Sequence, residues 1–299
     1  MSDVELSELK AGVEDGAIVP YLGAGALTGS FHTDTGEPIP ADSDSLILAM
    51  NGGRPMAPRL MYEFARAAMD VELKRGRTTV NRFLDDLYAN QTWSQSPLHA
   101  WLEAVKPQYV VDINRDIQLQ QSYAKTPHTL IRGISRIGGT DYRFRIHHHD
   151  GEKYSDKEID QSEVDPSLPI LFKPMGSPLP DATYIASDAD YVDYITELMG
   201  GFAIPSFLKS ARKGKQYLFL GLRMNRDTER MVLSDIIYAA GQPAAWALIA
   251  EPNEKERRFC KKMNIEIIEA DIDTFLGTSI PGVSSEPDQA PLLQADAAC

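Results

Sequence analysis

"AIVPYLGAGALTGSF", residues 17–31, runs from a short apolar segment straight into Gly23, Gly25 and Gly29. Such a run, closed by glycines, reads as a strand that ends in a sharp turn. Glycines at 23 and 25 let the backbone turn abruptly and approach a ligand closely, and N–H groups exposed there can hold a pyrophosphate without any lysine. A plain strand-to-helix turn explains the same residues, because Gly29 comes one position late for the GxGxxG spacing. The usual nicotinamide-dehydrogenase pattern wants an acid about 20 residues further on. Here that distance falls in a loop holding Gly36, Pro38 and Pro40.

On either side of the turn the pattern alternates. Residues 2–15 carry Val4, Leu6, Leu9 and Val13 on one side of an amphipathic helix, with Ser2 or Asp3 as its cap. Residues 46–104 keep apolar side chains at three- and four-residue spacings and predict an inserted helical subdomain. "QYVVDIN" (108–114) reads as a strand, residues 139–165 as an exposed, charged hairpin or loop, and "LPILFKPMGS" as a strand broken by Pro174 and Gly176. "DADYVDYITELMGGF" predicts a helix. "KQYLFLGL" and "AAWALIAE" are nearly continuous apolar runs, as in parallel strands covered on both faces. Helix "NEKERRFCKKM" and strand "IEIIEA" complete a series that predicts an α/β fold, a Rossmann-type open parallel sheet with any ligand at the carboxyl ends of its strands. One domain is expected over residues 1–280, followed by a disordered tail at 281–299 that mixes Pro, Ser, Ala and acids.

The 299 residues can bury a sizeable core without staples. A net charge of −13 opposes general binding to nucleic acid, so an anionic ligand needs a local feature to hold it. Two cysteines, Cys260 and Cys299, supply neither a disulfide framework nor a four-ligand zinc site, which fits reduced, cytoplasmic surroundings. The acidic first thirty residues predict no signal peptide, and no apolar run reaches the roughly 18 residues of a membrane span.

Four stretches in order, "VPYLGAGAL", "YVVDINRD", "ILFKPMGS" with "IASDADYVDYI", and "YLFLGLRMNRDTERMVLSDI", resemble the SIR2-like family, whose Rossmann-type core is shared with the sirtuins. The resemblance covers roughly residues 15–275 and rests on the order of degenerate motifs. It implies NAD as ligand. It places Gly23, Ala24, Gly25 and Ala26 against the pyrophosphate and nicotinamide ribose, with Leu27 where the family has a serine. Asn114 and Asp116 fall at the positions near the nicotinamide ribose and are the candidate catalytic residues. An asparagine can hold a hydroxyl or position a water, and a carboxylate can stabilise a cation-like sugar; both residues could equally cap the turn after the strand.

The family's general-base histidine corresponds to Met175, followed by Gly176, and a thioether has no proton to exchange. Loss of a general base commonly costs about 10² to 10⁴ in rate. Gly221, Arg223, Asn225 and Asp227 fall on the adenosine side, Arg223 either pairing with a phosphate or salt-bridging an acid. Substitutes for the missing base are few. His147, His148 and His149 read as solvated loop residues or adventitious metal ligands, His99 and His128 as helix-surface or turn residues, and His32 stands nearest the glycine turn.

No nucleophile elbow, HExxH helix or Walker lysine turn occurs, and the two cysteines leave no room for the zinc module of protein deacetylases. The resemblance therefore implies a protein that binds NAD or an ADP-ribose nucleotide as a regulatory module with weak or no catalysis. The alternatives are an NAD glycohydrolase that releases nicotinamide and a protein-interaction module without a ligand. A protein partner, through the helical block or the tail, and a homo-oligomer stay open.

Overall fold

The computed structural model describes residues 5–277, and the tail expected at 281–299 lies outside the described residues. The strands in chain order are β1 (Ile18–Leu22), β2 (Tyr109–Asp112), β3 (His128–Gly133), β4 (Phe144–His149), β5 (Ile170–Lys173), β6 (Gly176–Ser177), β7 (Thr183–Tyr184), β8 (Gln216–Leu220), β9 (Ala245–Leu248) and β10 (Ile265–Ile268). Eight of them form one sheet in the order β10-β9-β8-β1-β2-β5-β3-β4, and β6 pairs with β7 separately. Every pairing in the large sheet is parallel except β3 with β4. This is the Rossmann-type α/β fold that the alternation predicts. From β1 the chain moves outward on one side through β2 and later returns to β1's other side at β8, which makes the carboxyl ends of β1, β2 and β8 a topological switch point.

The helices are α1 (Leu6–Glu14), α2 (Ser43–Met50), α3 (Phe64–Arg75), α4 (Arg77–Tyr88), α5 (Pro97–Val105), α6 (Gln118–Ser122), α7 (Asp188–Gly200), α8 (Ser206–Ala211), α9 (Asp227–Ile236), α10 (Glu254–Met263) and α11 (Ile272–Leu276). Side chains alternate across a strand, so each central strand feeds two cores. Leu22, Val110, Leu171, Leu218 and Leu220 pack with Leu9 and Val13 of α1, Leu102 of α5 and Phe275 of α11. Tyr21, Val111, Phe172, Tyr217 and Phe219 pack on the other side with α7, α8, α9 and α10. Covering both faces is why β1 and β9 are buried throughout and β8 nearly so.

Helices α2 to α4 make a third core of their own, in which Ile47, Ala68, Leu84 and Tyr88 meet Leu27 from the glycine turn and Tyr184 from β7. The last of the helices grouped by sequence, α5, packs instead in the sheet-flanking layer with α1. Ser96 caps α5 through His99 N–H, and Pro97 occupies its first turn.

The stretch 139–165, expected as an exposed hairpin or loop, contributes the edge strand β4, which pairs antiparallel with β3 as a hairpin whose strand is largely buried rather than exposed. Phe144 and Ile146 enter the core while His147 and His149 face the other way, both buried. The charges of "RFRIHHH" hide an ordinary period-two strand, because Arg132 and Asp181 pair beneath it and Arg145 pairs with Asp181 at 2.5 Å. His147 Nε2 lies 2.9 Å from Arg132 Nη2, and the His149 ring stacks on His128 at 4.6 Å. His128 and His99 are likewise fully buried rather than on a helix surface or turn. Among the described residues no group of His, Cys, Asp and Glu is arranged to hold a metal, and no helix is long and apolar enough to cross a membrane.

Candidate functional site

The glycine turn is shaped first by its neighbour. Gly23 N–H donates to the Leu220 carbonyl and Gly25 N–H to that of Gly221, each at 2.9 Å, so the turns after β1 and β8 interlock. A Cβ on Gly23 would lie 2.5 Å from Leu222 Cα, and one on Gly25 2.8 Å from Gly221 Cα. Gly221 itself has φ +68°, and its Cβ would meet Ala26 N at 2.4 Å. Close approach of two chain reversals is therefore the direct reason for these glycines. The N–H groups of Gly23, Gly25 and Ala26 are engaged within the protein, since Ala26 N–H donates to Gly23 O at 3.0 Å. A phosphate is not held by those three amides.

Beside this interlock, at the switch point, opens a cavity of about 800 Å³, within the range of small-molecule and cofactor sites. Of the residues singled out in the sequence, Ala24, Gly25, Asn114, Met175, Gly221, Arg223 and Asn225 line it. Gly23, Ala26, Asp116, Gly176 and Asp227 do not belong to its wall. Ala26 is buried among core leucines. Gly176 has φ +83° and lies against Thr183, where β6 meets β7. Asp227 is exposed and pairs with Arg230. Arg223 donates to Glu256 at 2.8 and 3.2 Å, so of its two expected partners it takes the acid. His32 accepts the N–H groups of Asp34 and Thr35 at Nδ1 and stands edge-on to Trp93, off the wall.

Asn114 is fixed with little freedom. Its Nδ2 donates to Gly23 O and to Asp112 Oδ1, both at 2.9 Å, and its backbone N–H donates to the same Asp112 oxygen. Both side-chain partners are acceptors, so only the NH₂ end can face them. The amide oxygen is then what Asn114 presents as a free acceptor. Behind it, Asp112 Oδ2 accepts from Lys173 Nζ, and both side chains are 0% exposed. Asp116 lies in this same buried layer. Its Oδ1 accepts Gln118 N–H at 2.7 Å while Oδ2 has no hydrogen-bond partner among the described residues. Burial pushes the Asp116 carboxyl up, Lys173 opposing it and Asp112 adding to it. The capping alternative describes this geometry, and any effect of Asp116 on the cavity acts through the wall.

Several wall residues carry no sequence motif that announces them. Arg115 sits between Asn114 and Asp116; its Nε and Nη2 donate to Ile185 O at 2.9 and 2.6 Å, and Nη2 also donates to the Tyr191 hydroxyl at 3.1 Å. Ile185 N–H in turn donates to Met175 O, which ties Arg115 to the Met175 turn. Arg226 lies over the Tyr62 ring at 5.0 Å and has no ion-pair partner among the described residues. The wall also carries carboxylates: Asp42, Asp44, Asp271, Asp273, Glu63 just before α3, and Glu229 in the first turn of α9. Thr228 donates to Glu63 Oε1. Burial first, and then the charge of Glu63, pushes the Glu229 carboxyl up to about 7, with Arg226 and Arg115 pulling the other way. Leu248, Ile249, Ala250 and Ile272 line the cavity at the end of β9 and after β10, with Asp271 and Asp273 on either side of Ile272.

The fold and the place of its cavity define a Rossmann-type α/β protein with a small-molecule-sized cavity at the switch point of its sheet. Residues 120–268 match the family model described as the SIR2-like domain, which points to NAD-related function at the level of the family. No curated protein matches the chain. The matched stretch holds Met175, Gly221, Arg223, Asn225, Asp227 and Glu229, and begins after the glycine turn, Asn114 and Asp116.

Proposed function

We propose that this cavity binds NAD or a related ADP-ribose dinucleotide, and that the protein is a SIR2-like nucleotide-binding module with slow turnover or none. The observation that carries the reading is the locked amide of Asn114, which leaves its oxygen to accept a ribose hydroxyl at the switch point of a Rossmann-type sheet. The wall suits the rest of such a ligand. Arg115 and Arg226 supply charge for phosphates, and the side chains of Leu248, Ile249 and Ile272 suit a base. Met175 is 3% exposed and stands on the wall, where the resemblance puts the family's histidine. Among the described residues no histidine lines the cavity, which supports binding over rapid chemistry.

Calorimetric titration with NAD tests this. The native protein should give a saturable isotherm, and Asn114→Ala should weaken binding at least about tenfold, the worth of one well-placed hydrogen bond. Binding unaffected by Asn114→Ala, or no binding at all, would overturn it. A second reading, hydrolysis of NAD to nicotinamide, is favoured by one observation, the Glu229 carboxylate on the same wall.

A further inference from the structure

The cavity contains a carboxylate with no assigned partner. Glu229 is partly buried in the wall, and among the described residues no side chain hydrogen-bonds or ion-pairs with it. The groups that act on it come from five parts of the fold: Glu63 just before α3, Arg115 from the turn after β2, Tyr21 from β1, Tyr191 from α7, and Arg226 and Arg230 from the cap and first turn of its own helix. Most of these are occupied elsewhere. Arg230 pairs with Asp227, Arg115 with Ile185 and Tyr191, and Glu63 accepts from Thr228. A carboxylate that lines a cavity open to a ligand beside a second carboxylate, with no hydrogen-bond or ion-pair partner among the described residues although Arg115, Arg226 and Arg230 act on it, suits a cation. An oxidised dinucleotide has one cationic part, its pyridinium ring; its adenine can pack on Leu248, Ile249 and Ile272.

Resting on the NAD reading above, we infer that Glu229 is the proton acceptor of this site, facing the pyridinium end of a bound oxidised dinucleotide and receiving the proton of the water that hydrolyses its N-glycosidic bond. The water oxygen bonds to ribose C1′ as the C1′–N bond breaks. The bonding pair passes to the ring nitrogen, whose positive charge it cancels, so nicotinamide leaves neutral and needs no acid. The proton passes to the Glu229 carboxylate and then to solvent, leaving ADP-ribose. Glu63 acts as the positioning residue: its negative charge raises the basicity of its neighbour. Near neutral pH the free site holds a proton on Glu229 in part of the molecules, and the arriving cation displaces it.

Three measurements on the intact protein test this. Calorimetry with NAD⁺ in two buffers of different ionisation enthalpy at pH 7 should show proton release on binding, and Glu229→Gln should abolish that release and weaken binding, since the cation displaces the proton only by binding the carboxylate form more tightly. Nicotinamide release should fall at least about a hundredfold in Glu229→Gln, within the usual range for a lost general base. The pH profile of nicotinamide release should rise through about 7 in the native protein, and Glu63→Gln should move that rise to lower pH. NAD⁺ binding without proton release, an unchanged release rate in Glu229→Gln, or a profile that Glu63→Gln leaves in place would overturn the role of Glu229 with the binding reading intact. Failure of the native protein to bind NAD⁺ would overturn both.

Discussion

The clearest single test of the site's foundations is Lys173→Met. Lys173 and Asp112 are a fully buried pair, and the other Asp112 oxygen holds both the backbone and the side chain of Asn114. Methionine nearly matches the lysine stem in length, so packing changes little while Asp112 keeps an uncompensated charge in the core. Asp116, also buried and carrying a lone oxygen, loses the same nearby cation. Breaking a buried pair from one side costs about 3–5 kcal/mol, whereas removing both charges is often close to neutral. At about 2–4 °C per kcal/mol for a chain somewhat smaller than this one, the melting temperature should fall by roughly 6–20 °C.

The double variant Asp112→Asn with Lys173→Met should recover most of that loss, because an asparagine oxygen still accepts from Asn114 and no charge remains buried alone. Urea unfolding of the native protein, the two single variants and the double variant gives the coupling energy directly. A loss below about 1 kcal/mol in Lys173→Met, or a double variant no more stable than that single one, would refute the claim that a compensated ion pair supports Asn114.

Two further outcomes follow from the fold. Gly221→Ala should destabilise the protein by at least about 2 kcal/mol, adding left-handed strain to a collision with the glycine turn; Gly36→Ala, where φ is +74° and nothing lies within 4 Å, should cost only about 1 kcal/mol, and equal losses in urea would contradict the interlock. Burial holds His128 down to about 4, against about 6.5 in an unfolded chain, so between those values the folded protein binds fewer protons than the unfolded one. Stability is then full above about pH 6.5 and drops toward pH 4 by up to about 3 kcal/mol, and a urea midpoint that is flat across that window, or unchanged in slope by His128→Gln, would remove His128 from the cause.

The alternation of apolar runs and amphipathic segments in this sequence is enough to specify a parallel α/β sheet, because a strand buried on both faces must be apolar at every position and a flanking helix only on one stripe. "YLFLGL" and "AWALIA" show the first, and "NEKERRFCKKM" the second. The edge strand β4 was hidden because its partners are polar: Arg132, Asp181 and stacked histidines replace the apolar contacts that local patterning detects. Asn114 was legible as a residue near a strand end. Its orientation was not, since Gly23 lies 91 residues away and Lys173, behind Asp112, 61 from its partner. Glu229 had no signal at all among 43 acids. What marks it is the cavity wall, the nearby Glu63 and the lack of an ion-pair partner among the described residues, which exist only once α3 and α9 are brought to the same end of the sheet. Periodicity and turn chemistry are properties of neighbours along the chain and so survive in the sequence. A cavity, a buried pair and a shifted carboxylate are properties of neighbours in space, decided when the strands cross over at β1.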